Sequence, residues 1–261
     1  MEADVFVKRR NNGLIFFTLI IILTVGSIII TQYDVSKGFT SFIKAFEWGA
    51  SNFYPDVKSL AKLPDIFVKL KDTVLMSIAS TTVAAIFSLS LALIGSRATR
   101  INNVFTIISR GIASLFRNIP LVAWAMVLML AFSQSALTGF LALFLGSIGF
   151  LTRAFMEAID EVSDDTIEAL KATGASNIHI IFQAILPSSM PQIVSWLLFM
   201  IETNIRDATL VGLLTGTGIG FLFDIYYKAF NYHTASLIVV VTVIIVIITE
   251  KISNIIRRMV L

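Results

Sequence analysis

The chain has 261 residues, of which 56% are apolar and 14% charged, and its net charge is +3. Soluble domains carry about 25% charged residues, so this composition predicts a protein that is solvated by a lipid bilayer. The absence of cysteine excludes a disulfide framework, a thiolate metal site and a cysteine nucleophile. The two histidines stand far apart in the sequence and predict no metal site, and no dense Lys/Arg run indicates nucleic-acid binding.

Six stretches are long and apolar enough to cross the hydrocarbon core as helices. They are Leu14–Thr31, Thr73–Gly95, Val104–Phe132, Leu137–Met156, Pro191–Leu214 and Thr234–Ile252. The third is longer than a single span requires and contains Pro120, so it is either one interrupted span or two pieces. No small-residue cleavage site follows the first stretch, which favours an uncleaved helix over a signal peptide. The predicted fold class is an all-α, polytopic membrane bundle of about six helices.

The distribution of arginine predicts which ends of the spans face the cytoplasm. With both termini inside the cell, the arginines near spans one, two, three, four and six all become cytoplasmic. Residues 31–72 are then external, although they hold six lysines that argue against this topology. The spacing of Phe39, Phe42, Ile43 and Phe46 predicts an amphipathic helix on the membrane surface. We therefore expect residues 1–72 to form a membrane helix with an external segment, and residues 73–261 to form the main multi-pass domain of a cell-membrane protein.

A polar segment, residues 157–187, separates spans four and five. Ser163 is a good N-cap for a short helix, and Gly174 is a natural residue to end it. Ser176 can cap a second helix from Asn177 to Leu186, which we expect Pro187 to stop. The sequence thus predicts a helix–Gly–helix unit on the cytoplasmic side. Two interpretations remain open: a loop that only joins two spans, or a functional unit, since structured loops of this length tend to be functional.

Several charged or polar residues lie within or beside predicted spans. Glu202 and Arg206 are four residues apart, in the favourable order for a helical ion pair, and Asp207 follows them. Arg117 and Asn118 come just before Pro120. Charges at membrane depth face a partner or a water-filled cavity. Two interpretations remain open: a structural pair that locks two helices, or groups that line a pathway or gate for an anion.

Four glycines follow these charges. Gly212 and Gly216 form a small-xxx-small face for helix packing. Gly216, Gly218 and Gly220 occupy every second position, which does not suit a regular helix. This region therefore predicts a broken segment that turns at the outer face.

Two parts of the sequence resemble a known family. Glu168-Ala169-Leu170, Gly174 and Leu186-Pro187 resemble the EAA motif of permeases of ATP-driven (ABC) importers, although Leu170 replaces an alanine. Asn204-Ile-Arg206, the glycines up to Gly220, and Arg117-Asn-Ile-Pro120 are similar to phosphonate importer permeases. The resemblance implies that Glu168, Ala169 and Gly174 belong to coupling helices that dock on an ATPase subunit.

The resemblance also implies the rest of the assembly. We expect a permease that pairs with a second copy or a close relative, two ATPase subunits that bind ATP and Mg, and an external substrate-binding protein. The chain has no P-loop sequence, no cofactor of its own and no catalytic constellation. The implied substrate is a phosphonate or a related phosphorus oxyanion such as phosphite. A methionine importer is the alternative within the class. An ion-coupled transporter would be expected to show repeated halves, which are not evident. A small channel or membrane scaffold is a third alternative, but it has no need of the helix–Gly–helix unit.

Overall fold

The computed structural model describes residues 2–99, 102–162 and 164–260, and the side chains of residues 9–99, 102–162 and 168–259. Within these ranges the regular structure is helical, without a strand. The helices are α1 (Glu2–Thr31), α2 (Val35–Asn52), α3 (Val57–Leu60), α4 (Leu63–Gly95), α5 (Asn103–Asn118), α6 (Leu121–Phe132), α7 (Ala136–Asp160), α8 (Asp164–Ala172), α9 (Asn177–Ile180), α10 (Leu186–Thr215), α11 (Gly218–Lys228) and α12 (Tyr232–Val260).

The chain divides into two compact units, residues 1–54 and 55–261. In the first unit, Asp34 caps α2 by accepting a hydrogen bond from the Lys37 amide, 3.0 Å away. Phe39, Phe42 and Phe46 of α2 are each 74% exposed. Residues 55–72, predicted to belong to the N-terminal region, instead lie in the second unit, and α4 already begins at Leu63.

Helices α4, α7 and α10 pack against one another at the centre of the second unit. Their contacting faces are rich in small side chains, such as Ser77, Ser80 and Ala84 of α4 and Ala142 and Ser147 of α7, all fully buried. Small residues let helix backbones approach closely, which is how helices associate in lipid. Larger buried residues, including Leu151, Phe155 and Ile185, fill one end of this interface.

Among the described residues, five helical stretches are long and apolar enough to cross a membrane, or six if α5 and α6 count as one broken span. The axes of α5 and α6 meet at 92° across Ile119 and Pro120, where the sequence predicted an interruption. Proline lacks an N–H group and restricts the residue before it, so a helix rarely passes through such a position. The predicted bundle of about six membrane helices is confirmed.

The predicted stop at Pro187 and the predicted start of span five at Pro191 are wrong. Residues Asn177–Thr215 are helical throughout, through α9, a π-helical turn at Ile181–Ile185, and α10. In the π turn the Leu186 amide donates to the Ile181 carbonyl, five residues back. Pro187 therefore lies in the first turn after an existing irregularity of the helix, where its missing N–H is tolerated.

The glycine-rich stretch forms a tight corner between α10 and α11, a helix that the sequence did not indicate. Gly216 and Gly218 have φ values of 69° and 62°, a left-handed conformation that favours glycine. A Cβ atom on Gly220 would collide with the Thr209 carbonyl oxygen, and one on Gly212 would collide with the Thr217 carbonyl oxygen. The Thr73 hydroxyl of α4 accepts a hydrogen bond of 2.8 Å from the Ile219 amide and so fixes the start of α11.

Gly220→Ala should destabilise the protein, because the added methyl group meets backbone atoms that cannot rotate away. We expect a loss of roughly 1–3 kcal/mol, the usual cost of overpacking, seen as a lower apparent Tm by tryptophan fluorescence in detergent. Gly111→Ala is the matched control, since nothing lies within 4 Å of the added atom there. Equal melting of the two variants would contradict the close approach of α10 and α11.

Candidate functional site

A cavity of about 230 Å³ opens where α5 and α6 break, and we call it the mid-helix cavity. Its lining residues come from α5, α6, α7, α10 and the break: Phe116, Arg117, Ile119, Pro120, Leu121, Gly146, Phe150, Met200, Asn204 and Asp207. Gly149, near the middle of α7, lies against the backbone of Phe116 and Arg117, where a Cβ atom would not fit. The cavity therefore lies about half way along α7, with polar groups among largely apolar walls.

The structure brings together some of the predicted pathway residues and separates others. Arg117 and Asp207 line the same cavity from different helices. Asn118 is exposed at the end of α5, and its side-chain amide donates to the Ser114 hydroxyl at 3.2 Å. Glu202 and Arg206 are not among the residues that line the cavity.

Glu202 instead joins two helices. It is 7% exposed, and its carboxylate lies 3.0 Å from Arg206 on the same helix and 3.8 Å from Arg257 on α12. Burying a charged carboxylate without partners costs several kcal/mol of desolvation free energy. The two arginines offset this cost by stabilising the negative charge of Glu202. The contacts thus favour the structural interpretation for Glu202, while the Arg206 side chain remains 45% exposed.

Asn204 links three helices by hydrogen bonds, a role that was not predicted from the sequence. It is 1% exposed, and its side-chain amide donates hydrogen bonds of 2.7 Å to the hydroxyls of Thr81 on α4 and Ser147 on α7. The Ser77 hydroxyl of α4 donates to the Asn204 carbonyl at 3.0 Å. One residue of α10 thus holds the other two central helices beside the mid-helix cavity. An amide inside a predicted span was the available signal, but its partners are far away in the sequence.

The polar segment, residues 157–187, presents its motif residues outward. Glu168 and Ala169 of α8 are exposed, whereas Leu170 packs against the buried cluster that includes Phe155 and Ile180. Gly174 has a φ of 82° and open space around it, and the Ala175 amide donates to the Leu170 carbonyl at 3.3 Å. This arrangement ends α8 as a left-handed cap does. The predicted N-cap Ser163 lies outside the described residues.

The Ser176 side chain caps α9 by accepting from the His179 amide at 3.4 Å. Since α9 continues into α10, the polar segment is joined to the helix that carries Asn204 and Asp207. Across the described ranges, no group of three or more His, Asp or Glu side chains is arranged to hold a metal ion.

These features define a class: a polytopic helical membrane protein with a polar cavity half way along its bundle and a structured polar segment between two spans. Residues 84–260 match the family described as the inner membrane component of binding-protein-dependent transport systems. The match covers more than half of the chain, and the chain belongs to this family.

Two relatives and one solved structure show how close the similarity is. The chain is 31% identical to the phosphite transport system permease protein PtxC of Stutzerimonas stutzeri, over 72% of this chain and 69% of the relative. It is 28% identical to the phosphate-import permease protein PhnE of Mycolicibacterium smegmatis, over 74% of this chain but only 36% of that relative. An inward-facing crystal structure of the MetNI methionine ABC transporter matches with a TM-score of 0.67 at 22% identity, covering 75% of this chain and 96% of that one. The last similarity shows a shared fold.

Asn204→Leu keeps most of the side-chain volume but removes both hydrogen bonds to α4 and α7. We expect a loss of about 1–3 kcal/mol in stability, because buried hydroxyl groups lose their partner, again measured as a lower apparent Tm. Asn52→Leu is the control, since that half-buried side-chain amide donates to the Trp48 carbonyl one turn back on α2 and joins no second helix among the described contacts. An unchanged Tm for Asn204→Leu would show that the amide does not hold the three helices together.

Proposed function

We propose that the chain is the permease subunit of an ATP-driven importer that carries a small phosphorus oxyanion, such as phosphite or a phosphonate, across the cell membrane. The observation that carries the proposal is the mid-helix cavity, where Arg117 lies with Asn204 and Asp207 among otherwise apolar walls. A guanidinium group binds tetrahedral oxyanions through parallel N–H donors. The names of the two relatives, a phosphite and a phosphate permease, support the same chemistry.

The proposed assembly has three further kinds of component. A second copy of the chain or a close relative completes the pathway, two ATPase subunits bind ATP and Mg, and an external binding protein delivers the substrate. The family description, which names binding-protein-dependent transport, supports this arrangement. Both termini and the polar segment are proposed to face the cytoplasm, in agreement with the distribution of arginine.

The proposed coupling route is the continuous helix Asn177–Thr215, which has 39 residues. At 1.5 Å per residue it is about 60 Å long, roughly twice the thickness of the hydrocarbon core. Part of it therefore projects from the membrane, together with α8, which contacts α9. Glu168, Ala169 and Gly174 are proposed to dock on the ATPase. Closure of the ATPase pair would then move the helix that carries Asn204 and Asp207, and so alternate the access to the mid-helix cavity.

Arg117→Gln should reduce phosphite uptake about tenfold or more, because a charge-assisted contact to the anion is lost. The measurement is the initial rate of uptake of labelled phosphite, methylphosphonate and methionine by cells that express the complete transporter. Arg258→Gln, which removes an exposed arginine near the end of α12, is the control. Uptake of methionine without uptake of either phosphorus compound would replace the proposed substrate with an amino acid.

Glu168→Lys should uncouple ATP hydrolysis from transport, because it reverses the charge of an exposed residue at the proposed docking face. In proteoliposomes that contain the whole complex, we expect the stimulation of ATP hydrolysis by loaded binding protein to fall severalfold, with normal insertion of the permease. Glu47→Lys, an equal charge reversal on exposed α2, is the control. Full stimulation in the Glu168→Lys complex would refute the coupling role.

A further inference from the structure

A second cavity, also of about 230 Å³, lies where α4 and α7 end and α5 runs past them. We call it the basic cavity because four arginines line it: Arg97, Arg110, Arg117 and Arg153. Two acidic residues, Glu157 and Asp160, also line it. Six charged side chains thus surround one small space, with an excess of two positive charges.

The acidic groups are already engaged. Glu157 pairs with Arg153 at 2.9 Å on the surface of α7. Asp160 accepts hydrogen bonds from the Ser96 hydroxyl at 2.5 Å and from the Arg97 backbone amide at 2.7 Å, which fixes the end of α4 against the end of α7. Its second oxygen lies 4.0 Å from Arg110, a long ion pair. Neither carboxylate therefore neutralises the guanidinium groups of Arg97 and Arg117.

Helix capping explains one of the four arginines. The Arg110 side chain donates to the Gly95 carbonyl at 3.2 Å, at the C-terminal end of α4 where positive charge is favourable. Arg97 and Arg117 have no ion pair or side-chain hydrogen bond among the contacts of the described residues. Both side chains are exposed and line the same cavity, so a bound anion would gain charge-assisted hydrogen bonds from two otherwise unpaired guanidinium groups.

We propose that the basic cavity is a second binding site for a phosphate-type oxyanion, with Arg97, Arg117 and Arg153 as its ligands. Arg153 contacts Glu157 through its Nε atom, and its two terminal nitrogens are proposed to bind the anion. Arg117 lines both the basic cavity and the mid-helix cavity, so one guanidinium group faces both anion sites. The identity of the anion rests on the proposed function; the site itself rests on the geometry and charge. The same chemistry is offered by a free phosphorus oxyanion and by the phosphodiester headgroup of an anionic lipid.

The experiment is an arginine footprint of the unmodified full chain, purified alone so that no nucleotide site of a partner can bind phosphate. Phenylglyoxal modifies accessible guanidinium groups, and mass spectrometry gives the rate at each arginine. The chain is placed in phosphatidylcholine nanodiscs with and without phosphite, and in nanodiscs that contain phosphatidylglycerol without phosphite. Exposed Arg258 is an internal control in every sample.

We expect phosphite to slow the modification of Arg97 and Arg153 severalfold and to leave Arg258 unchanged. Protection by phosphatidylglycerol alone would assign the same site to a lipid headgroup. Equal rates at Arg97 and Arg153 in all three samples would overturn the site. In a second measurement, equilibrium dialysis with labelled phosphate, the Arg97→Gln/Arg153→Gln chain should bind about tenfold more weakly than the Arg258→Gln chain. Equal binding by these two chains would also overturn it. Neither measurement involves transport, so a failure here is distinct from a failure of uptake.

Discussion

The bundle depends on hydrogen bonds made inside a medium that supplies none. A side-chain amide in the hydrocarbon core must find its partners within the protein. The Asn204 side-chain amide does so by donating to hydroxyls of α4 and α7 at 2.7 Å each. The backbone carbonyl of Asn204 accepts a further hydrogen bond from the Ser77 hydroxyl. Because lipid gives no hydrophobic drive for helix association, such polar contacts and small packing faces determine which helices meet.

Asn204 contributes both to helix packing and to the lining of the candidate site. Asn204 also lines the mid-helix cavity, where α5 and α6 break beside Arg117 and Asp207. The group that fixes α10 laterally is therefore one of the groups that a substrate in this cavity would meet. A movement of α10 that opened or closed the proposed pathway would have to keep or exchange these hydrogen bonds.

Hydropathy located the membrane helices because it depends on composition over some 20 residues, and the interruption at Pro120 followed from proline chemistry. The continuous helix through Pro187 and Pro191 could not be predicted in this way. The helix is continuous because it contains a π turn, which the local sequence pattern does not predict. Helix α11 was missed because its first turn contains Gly218 and Gly220, whose close contacts with Thr73 and Thr209 are tertiary.

The same distinction applies to the candidate site. Charged residues at membrane depth stood out in the sequence, and the ion pair of Glu202 with Arg206 is local. The third partner, Arg257, comes from the far end of α12, and the shared cavity of Arg117 and Asp207 joins α5 to α10. The sequence thus identified candidate charged residues, but only the fold shows which of them lie close together.

The π turn at Ile181–Ile185 has a consequence for the direction in which the polar segment faces. A π turn is equivalent to one extra residue in an α-helix. A chain one residue shorter here could close the turn as regular α-helix, and everything before it would rotate by about 100° around the helix axis. Glu168 and Ala169 would then point to a different side of the bundle with every other contact of α10 unchanged. The number of residues in the π turn therefore determines which side of the bundle the polar segment presents to a neighbouring subunit.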